Sequence, residues 1–127
     1  MRKNKITDYE WRVMEAVWGG APLSSKEIIV KVKESMPSWN ERTIRTYINR
    51  LVDKGFLRTE KEKFLMYYPL VSREDAVKKE TDIFFKKIYK SSKALILSNF
   101  LKDDKLTSEE INILKKMIEE KESKNDK

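Results

Sequence analysis

Arginine, threonine and asparagine side chains recur at helical spacing in the segment WNERTIRTYINRL, residues 39–51. Because an α-helix turns about 100° per residue, one side of the helix that this segment predicts (the polar face) carries Arg42, Arg45, Thr46 and Asn49. Arginine can donate two hydrogen bonds to O6 and N7 of guanine, and threonine can contact a thymine methyl group or a phosphate. The pattern therefore indicates a helix face that binds DNA bases.

The opposite side of the same helix is apolar. Its residues follow the i, i+3, i+4, i+7 spacing of a helix side that packs on a protein core: Ile44, Tyr47, Ile48 and Leu51. We therefore predict that this side docks on neighbouring helices and that the polar face points outward. An ordinary solvated face is the alternative, but such faces are usually built from paired lysine and glutamate. No acidic residue lies between Arg42 and Asn49, which favours DNA binding.

Helix-capping signals indicate the elements that position this helix. Two helices are predicted to precede it, each opened by a Ser or Thr three residues before a Glu: Thr7 with Glu10, and Ser24 with Glu27. Asn40 is expected to cap the third helix through its side-chain oxygen, and Gly55 is expected to close it in the left-handed conformation. The helix with the polar face is thus the third of the chain.

A β-hairpin is predicted directly after the third helix. Residues 56–60 and 64–68 are expected to form its two short strands, the second of them rich in aromatic residues. Lys61 and Lys63 lie in the polar tip between the strands and are candidates for contact with a phosphate or the minor groove. The glutamates beside them weaken that expectation, and an ordinary solvated tip accounts for the charges equally well.

Three helices followed by a hairpin predict a winged helix-turn-helix at residues 1–71. From Ser72 onward the apolar spacing predicts helices only, with a third capping box from Thr107 to Glu110. The predicted fold class is therefore mainly α with a small β-hairpin. Residues 72–127 are expected to form a helical dimerisation region.

The helical region carries more apolar side chains than such short helices can bury alone. A two-fold interface with a second copy is the commonest solution. The side chains expected at that interface are Phe84, Phe85, Ile88, Leu97, Leu101, Leu114 and Ile118. The alternative is that these helices fold back on the winged helix within one chain.

Composition excludes several kinds of catalytic and metal site. The 127 residues include no Cys and no His, which removes thiolate and imidazole metal ligands and the usual general base. No Gly-rich phosphate loop occurs either, so we expect no enzyme activity, no metal and no cofactor. The net charge of +7, of which residues 1–71 carry +5, suits nucleic acid or an anionic membrane. The short apolar runs and the polar N-terminus predict a cytoplasmic protein.

The sequence resembles a known family of repressors. The stretches that carry the resemblance are TDYEWRVMEAVW, SSKEI, PSWNERTIRTYINRLVDKGFL, Tyr67-Tyr68-Pro69, SNFL at 98–101 and LTSEEI at 106–111. They are similar to the penicillinase and methicillin-resistance repressors of Gram-positive bacteria, the BlaI/MecI type, over nearly the whole chain. A related copper-responsive branch uses C-terminal cysteines, which this sequence lacks.

The resemblance implies a homodimer whose winged helices bind a palindromic operator ahead of β-lactamase or antibiotic-resistance genes. By position, the family's DNA contacts match Arg42, Thr43, Arg45 and Thr46 of this sequence. The family often has Lys and Gln in place of Arg42 and Arg45, so the preferred bases are expected to differ. Combined with the helix pattern, the predicted DNA-binding residues are Arg42, Thr43, Arg45, Thr46, Asn49, Arg50, Lys61 and Lys63. Arg50 lies at the flank of the helix, where a phosphate or an acidic side chain is its expected partner.

The resemblance also implies how repression ends. In the family a membrane β-lactam sensor leads to proteolysis at an Asn-Phe bond in the dimerisation region, and Asn99-Phe100 matches that pair. The residues alone favour a plainer interpretation, in which Phe100 extends an apolar helix and Asn99 is an ordinary exposed side chain. A cut at this bond would remove the last helix from the interface.

Two other functions stay open from the sequence. One is a winged-helix adaptor whose arginine side chains bind an acidic protein partner. The other is a regulator that binds a small molecule between the helices of the second half, although we expect no such ligand. Strong salt dependence of binding to duplex DNA would favour the repressor over both.

Overall fold

The computed structural model of the protein describes residues 5–87, 93–102 and 106–125. Its elements in chain order are α1 (Asp8–Trp18), β1 (Leu23–Ser24), α2 (Ser25–Ser35), α3 (Glu41–Asp53), β2 (Leu57–Lys61), β3 (Leu65–Pro69), α4 (Arg73–Lys87), α5 (Lys93–Lys102) and α6 (Ser108–Asn125). They confirm the predicted fold class, a winged helix with a small antiparallel sheet followed by helices. The chain forms two compact units, Met1–Ile83 and Phe84–Lys127. The functional division predicted between residues 71 and 72 stays a prediction.

Side-chain caps fix where the first three helices begin. The predicted capping boxes are both present, Thr7 with Glu10 at α1 and Ser24 with Glu27 at α2. At α3, Asn40 Oδ1 accepts a hydrogen bond of 2.8 Å from the Thr43 N–H. Gly55 follows α3 with a φ of 86°, a conformation that L side chains rarely adopt. The signals that predicted these helix ends are therefore confirmed.

The sheet has three antiparallel strands in the order β1-β3-β2. β2 and β3 form the predicted hairpin, and each begins one residue later than the sequence pattern indicated. The sequence pattern did not predict β1, which pairs Leu23 with Tyr67 and Ser24 with Met66. A strand of two residues is too short to show alternation, yet it ties the start of α2 to the central strand.

The core of the first unit lies where α1, α2 and α3 meet. Its buried side chains from these helices are Val13, Met14 and Val17, then Ile28, Ile29 and Val32, and then Ile44, Ile48 and Leu51. Burying one such side chain contributes about 1.5–3 kcal/mol. The apolar side of α3 is therefore held inward with enough free energy to fix which side of the helix reaches solvent.

The second unit exposes most of its apolar side chains. α5 and α6 bury none of their residues, and α6 begins at the predicted capping box of Thr107 and Glu110. Five of the side chains predicted at a dimer interface are exposed: Phe84, Leu97, Leu101, Leu114 and Ile118. Phe85 is half-buried beside the Phe84 ring, and Ile88 lies outside the described residues. Among the described helices, none is long and apolar enough to cross a membrane.

Candidate nucleic-acid interface

The polar face of α3 points into solvent. All of its side chains are exposed: Arg42, Arg45, Thr46 and Asn49. On the reverse side, Ile44, Ile48 and Leu51 are at most 1% exposed. The outward direction predicted from the helical spacing is therefore confirmed. A helix held in this way presents its polar side chains to a partner without any change in the fold.

No acidic side chain neutralises the arginines of the polar face within the described residues. The ion pairs formed there join Glu10 with Lys54, Glu15 with Arg73, Arg58 with Glu60, and Lys78 with Asp82. Arg42 and Arg45 take part in none of these pairs. Two guanidinium groups in solvent without a carboxylate partner are suited to an anionic ligand such as DNA.

Ser25 supports the polar face from the neighbouring helix. Its Oγ accepts a hydrogen bond of 3.3 Å from Nη1 of Arg45. Ser25 is the first residue of α2, and together with Asn49 and Tyr67 it lines a small cleft beside Arg45. The sequence did not indicate this contact because the two residues lie 20 positions apart. The serine hydroxyl orients a guanidinium group without neutralising its charge.

The hydroxyl group of Thr46 bonds to its own helix. Thr46 Oγ1 donates a hydrogen bond of 3.0 Å to the carbonyl oxygen of Arg42, one turn earlier. The hydroxyl proton is therefore used, and the methyl group of this exposed residue is left for contact with a ligand. Of the two contacts expected for Thr46, the arrangement favours the thymine methyl group.

An aromatic cluster borders the polar face near the start of α3. Tyr47 stacks on Tyr9 with ring centroids 6.0 Å apart, and Trp39 lies 5.5 Å from Tyr47 and 5.6 Å from Tyr9. The guanidinium group of Arg50 lies 6.0 Å from the Tyr47 ring centroid. Arg50 thus lies near an aromatic ring and forms no ion pair with an acidic residue in the part of the chain that the structure describes. The sequence did not single out Tyr9 for this role, because it lies in another helix.

The predicted wing residues Lys61 and Lys63 are exposed. The carboxylates beside them are held by side chains of the strands. Glu60 pairs with Arg58, and Glu62 accepts a hydrogen bond from the hydroxyl group of Tyr68. That hydrogen bond, with lesser contributions from burial and the nearby carboxylate charges, raises the pKa of Tyr68. Arg58 also lies 4.1 Å above the centroid of the Tyr68 ring. Because these contacts hold the two carboxylates, they reduce the repulsion that the glutamates were expected to exert on an anionic ligand.

A buried ion pair fixes the end of α3 that lies away from Arg42. Lys54 Nζ lies 2.7 Å from Glu10 Oε1 and donates a second hydrogen bond of 3.0 Å to the Lys5 carbonyl. Burial raises the pKa of Glu10, but hydrogen bonds from Lys54 and Thr7 and the charge of Lys54 outweigh it, so the pKa lies below 4.5. Glu10 Oε2 has no hydrogen-bond partner among the described residues. Glu10 therefore caps α1 and at the same time holds the last turn of α3.

The Asn99-Phe100 pair lies in the second half of α5. Both side chains are exposed. Phe100 extends the apolar helix α5, as the plainer interpretation has it, and the described chain does not bury its side chain. The role of the pair as a cleavage site stays a prediction. The bond between the two residues is helical, so an extended conformation at this bond requires α5 to unfold locally.

Comparison with known proteins gave consistent matches. A family model described as "Penicillinase repressor" matches residues 6–120. The methicillin resistance regulatory protein MecI of Staphylococcus aureus (strain N315) is 33% identical over 118 residues, which cover 92% of this chain and 95% of that protein. The penicillinase repressor of Bacillus licheniformis is 31% identical over 117 residues, 91% of each chain. The solution structure of the DNA binding domain of the repressor BlaI superposes with a TM-score of 0.50 at 30% identity, covering 57% of this chain and 88% of that one.

Proposed function

This chain belongs to the penicillinase repressor family, a family of DNA-binding transcriptional repressors and not of enzymes, and we propose that it acts as a homodimer on a palindromic operator. The observation that carries the proposal is the polar face of α3, whose arginines are exposed and form no ion pair within the described residues, while the reverse side is buried. A helix with these properties fits the major groove of B-DNA.

The proposed contacts divide into base edges and phosphates. Arg42 and Arg45 donate to guanine O6 and N7, Asn49 pairs with adenine, and the Thr46 methyl group packs on a thymine methyl group. The remaining predicted residues are assigned to phosphates and sugars: Thr43, Arg50, Lys61 and Lys63. Thr43 is half-buried, and its backbone N–H is already bonded to Asn40, so only its side chain is assigned to DNA.

The proposed targets are genes for a β-lactamase or for another form of β-lactam resistance. Support comes from the relatives, one named as a regulator of methicillin resistance and another as a penicillinase repressor. Both align with this chain over more than nine-tenths of their length. The proposed location, in the cytoplasm with the genome, follows from DNA binding.

Dimerisation is proposed through the exposed apolar side chains of the second unit. α5 and α6 present Leu97, Leu101, Leu114 and Ile118 to solvent, which is unfavourable for an isolated chain. A second copy related by a two-fold axis would bury the same side chains on both partners. It would also carry two polar faces to the two halves of a palindrome, and linkage raises the affinity for the pair by orders of magnitude.

Release of the operator is proposed to follow cleavage between Asn99 and Phe100, with a membrane sensor-protease pathway upstream. α5 has ten residues and none of them is buried. Helices shorter than about 12–15 residues are marginal without tertiary support, so local unfolding of α5 at this bond costs little in an isolated chain. Cleavage would separate α6 from the winged helix and weaken the dimer.

A titration of the full chain with DNA tests the proposed function. Fluorescence anisotropy would follow binding to a labelled duplex from the region upstream of its own gene, at several salt concentrations, beside a shuffled duplex. We expect tighter binding to the upstream duplex and an affinity that falls steeply with salt. Equal affinity for both duplexes would contradict an operator function. Binding only to an acidic protein would favour the adaptor.

A further inference from the structure

The tip of the β2–β3 hairpin presents two consecutive apolar side chains to solvent. Phe64 is 65% exposed and Leu65 is 46% exposed. The backbone there is fixed, since the Glu62 N–H donates a hydrogen bond of 3.0 Å to the Phe64 carbonyl. Phe64 is not part of the buried core, whose sheet members are Leu23, Leu57 and Tyr67. A phenylalanine held outward on a tight turn is suited to insertion into a partner.

The charges around Phe64 indicate which class of molecule it contacts. Glu60 and Glu62 are bonded back to Arg58 and Tyr68 of the strands. Lys61 and Lys63 are exposed and form no ion pair within the described residues. The tip therefore combines an apolar ring with two available cations. This combination matches a sugar–phosphate strand, which offers apolar deoxyribose faces between phosphates.

The surface at the tip is continuous with the polar face of α3. Phe64 and Leu65 form one wall of an open groove whose other wall is α2, from Ser25 to Glu34. Ser25 also bonds to Arg45 of the polar face. A duplex that contacts Arg45 and Ser25 thus runs directly beside the groove that Phe64 lines.

We propose that Phe64 packs into the minor groove of DNA flanking each half-site, against deoxyribose, while Lys61 and Lys63 bond to the phosphates on either side. This inference rests on the proposed operator binding and deepens it. Apolar side chains used in this way read groove width and the ease of unstacking, not base edges. Phe64 then makes affinity depend on base pairs outside the sequence that α3 contacts.

The test compares Phe64→Ser and Phe64→Leu in the full chain on two operator duplexes, one ending at the half-sites and one extended by a helical turn of flanking DNA. Phe64→Ser is expected to lose affinity for the extended duplex by roughly tenfold, the burial free energy of one aromatic ring. It should bind the duplex that ends at the half-sites as tightly as the wild type does. Phe64→Leu should retain most of the gain in affinity that the flanking DNA gives the wild type. Leu70→Ser is the matched control, because Leu70 is similarly exposed at the opposite end of the hairpin.

The salt dependence of DNA affinity distinguishes the contribution of the Phe64 ring from that of the lysines. Phe64→Ser should lower affinity without changing the slope of log K against log salt, whereas Lys63→Ala should reduce that slope by about 0.9. The inference is overturned if Phe64→Ser binds the extended duplex like the wild type, if it loses affinity equally on both duplexes, or if it alters the oligomeric mass instead. Failure of the wild type to bind either duplex would overturn the proposed function, and this inference with it.

Discussion

Glu10 is a buried carboxylate that joins the start of α1 to the end of α3. It is 1% exposed, and Lys54 approaches it to 2.7 Å. Replacing it with glutamine keeps the size and the hydrogen-bond acceptor but leaves Lys54 without an opposite charge. We expect Glu10→Gln to lower the free energy of unfolding by about 1–3 kcal/mol, as for a disrupted charged hydrogen bond. Urea unfolding at pH 7 measures this change, and Glu27→Gln, at the same place in an exposed capping box, is expected to change it far less.

The lowered pKa of Glu10 also makes the free energy of unfolding depend on pH. Because the folded pKa lies below the unfolded value of 4.5, the unfolded state binds a proton first as the pH falls. The carboxylate therefore adds stability above that pH and loses its contribution as the pH falls through the folded pKa. We expect wild-type stability to decline below about pH 4.5 more steeply than that of Glu10→Gln. Parallel curves for the two proteins would contradict the role given to this pair.

The proposed contact between the Thr46 methyl group and a thymine methyl group can be tested by removing either group. Since its hydroxyl group bonds to the Arg42 carbonyl, Thr46→Ser should retain that bond and lose the methyl contact. We expect a loss of affinity of about threefold to fivefold, equivalent to one buried methyl group. Replacing the contacted thymine by uracil in the operator should weaken wild-type binding equally and should not weaken Thr46→Ser further. Additive losses in this double-mutant cycle would assign the threonine to a phosphate instead.

At the scale of elements, the winged helix could largely be predicted because its helix ends are set by local chemistry. Thr7, Ser24, Asn40 and Gly55 each act within a few residues of their own position, so the sequence displays them directly. β1 could not be predicted, since its two residues form a strand only because β3 lies beside them. The links from Ser25 to Arg45 and from Glu10 to Lys54 were also hidden, because they join residues 20 and 44 positions apart.

We expect the cap of α3 to affect the proposed DNA-binding surface as well as stability. Asn40→Ala removes the side-chain oxygen that accepts the Thr43 N–H and should cost about 1 kcal/mol of stability. The freed turn carries Arg42, so we also expect weaker binding to a single half-site. Asn40→Ser should retain both the stability and the affinity for a single half-site. Thr107→Ala is the matched control, because it removes a cap of α6 in the other unit and should leave half-site affinity unchanged.

At the scale of the whole molecule, the second unit is assigned to assembly and the first to DNA. A chain ending at Asn99 keeps every buried residue of the winged helix, so it should show the same thermal unfolding of that unit. Sedimentation should show a monomer, and affinity for a two-half-site operator should fall by roughly 100-fold through loss of linkage. Affinity for one half-site should stay the same. Undiminished operator binding by the shortened chain would exclude cleavage at this bond as the means of release.

The dimer interface of the second unit stays a prediction. The sequence indicated Leu97, Leu101, Leu114 and Ile118 from their apolar character, and their exposure is consistent with burial against a second copy. Periodicity alone cannot distinguish a helix side buried within a chain from one buried between chains, because both follow the same spacing.

The central claim is that the polar face of α3 contacts base edges in the major groove. Dimethyl sulfate methylates guanine N7 in that groove, so protection from methylation on the bound operator tests the claim directly. The wild type should protect guanines in two symmetric half-sites about 34–36 Å apart, one helical turn or a multiple of it. Arg42→Ala and Arg45→Ala should each restore methylation at one guanine per half-site, and Arg12→Ala, an exposed arginine of α1, should restore none. Full binding without guanine protection, or protection that survives both substitutions on α3, would contradict the claim.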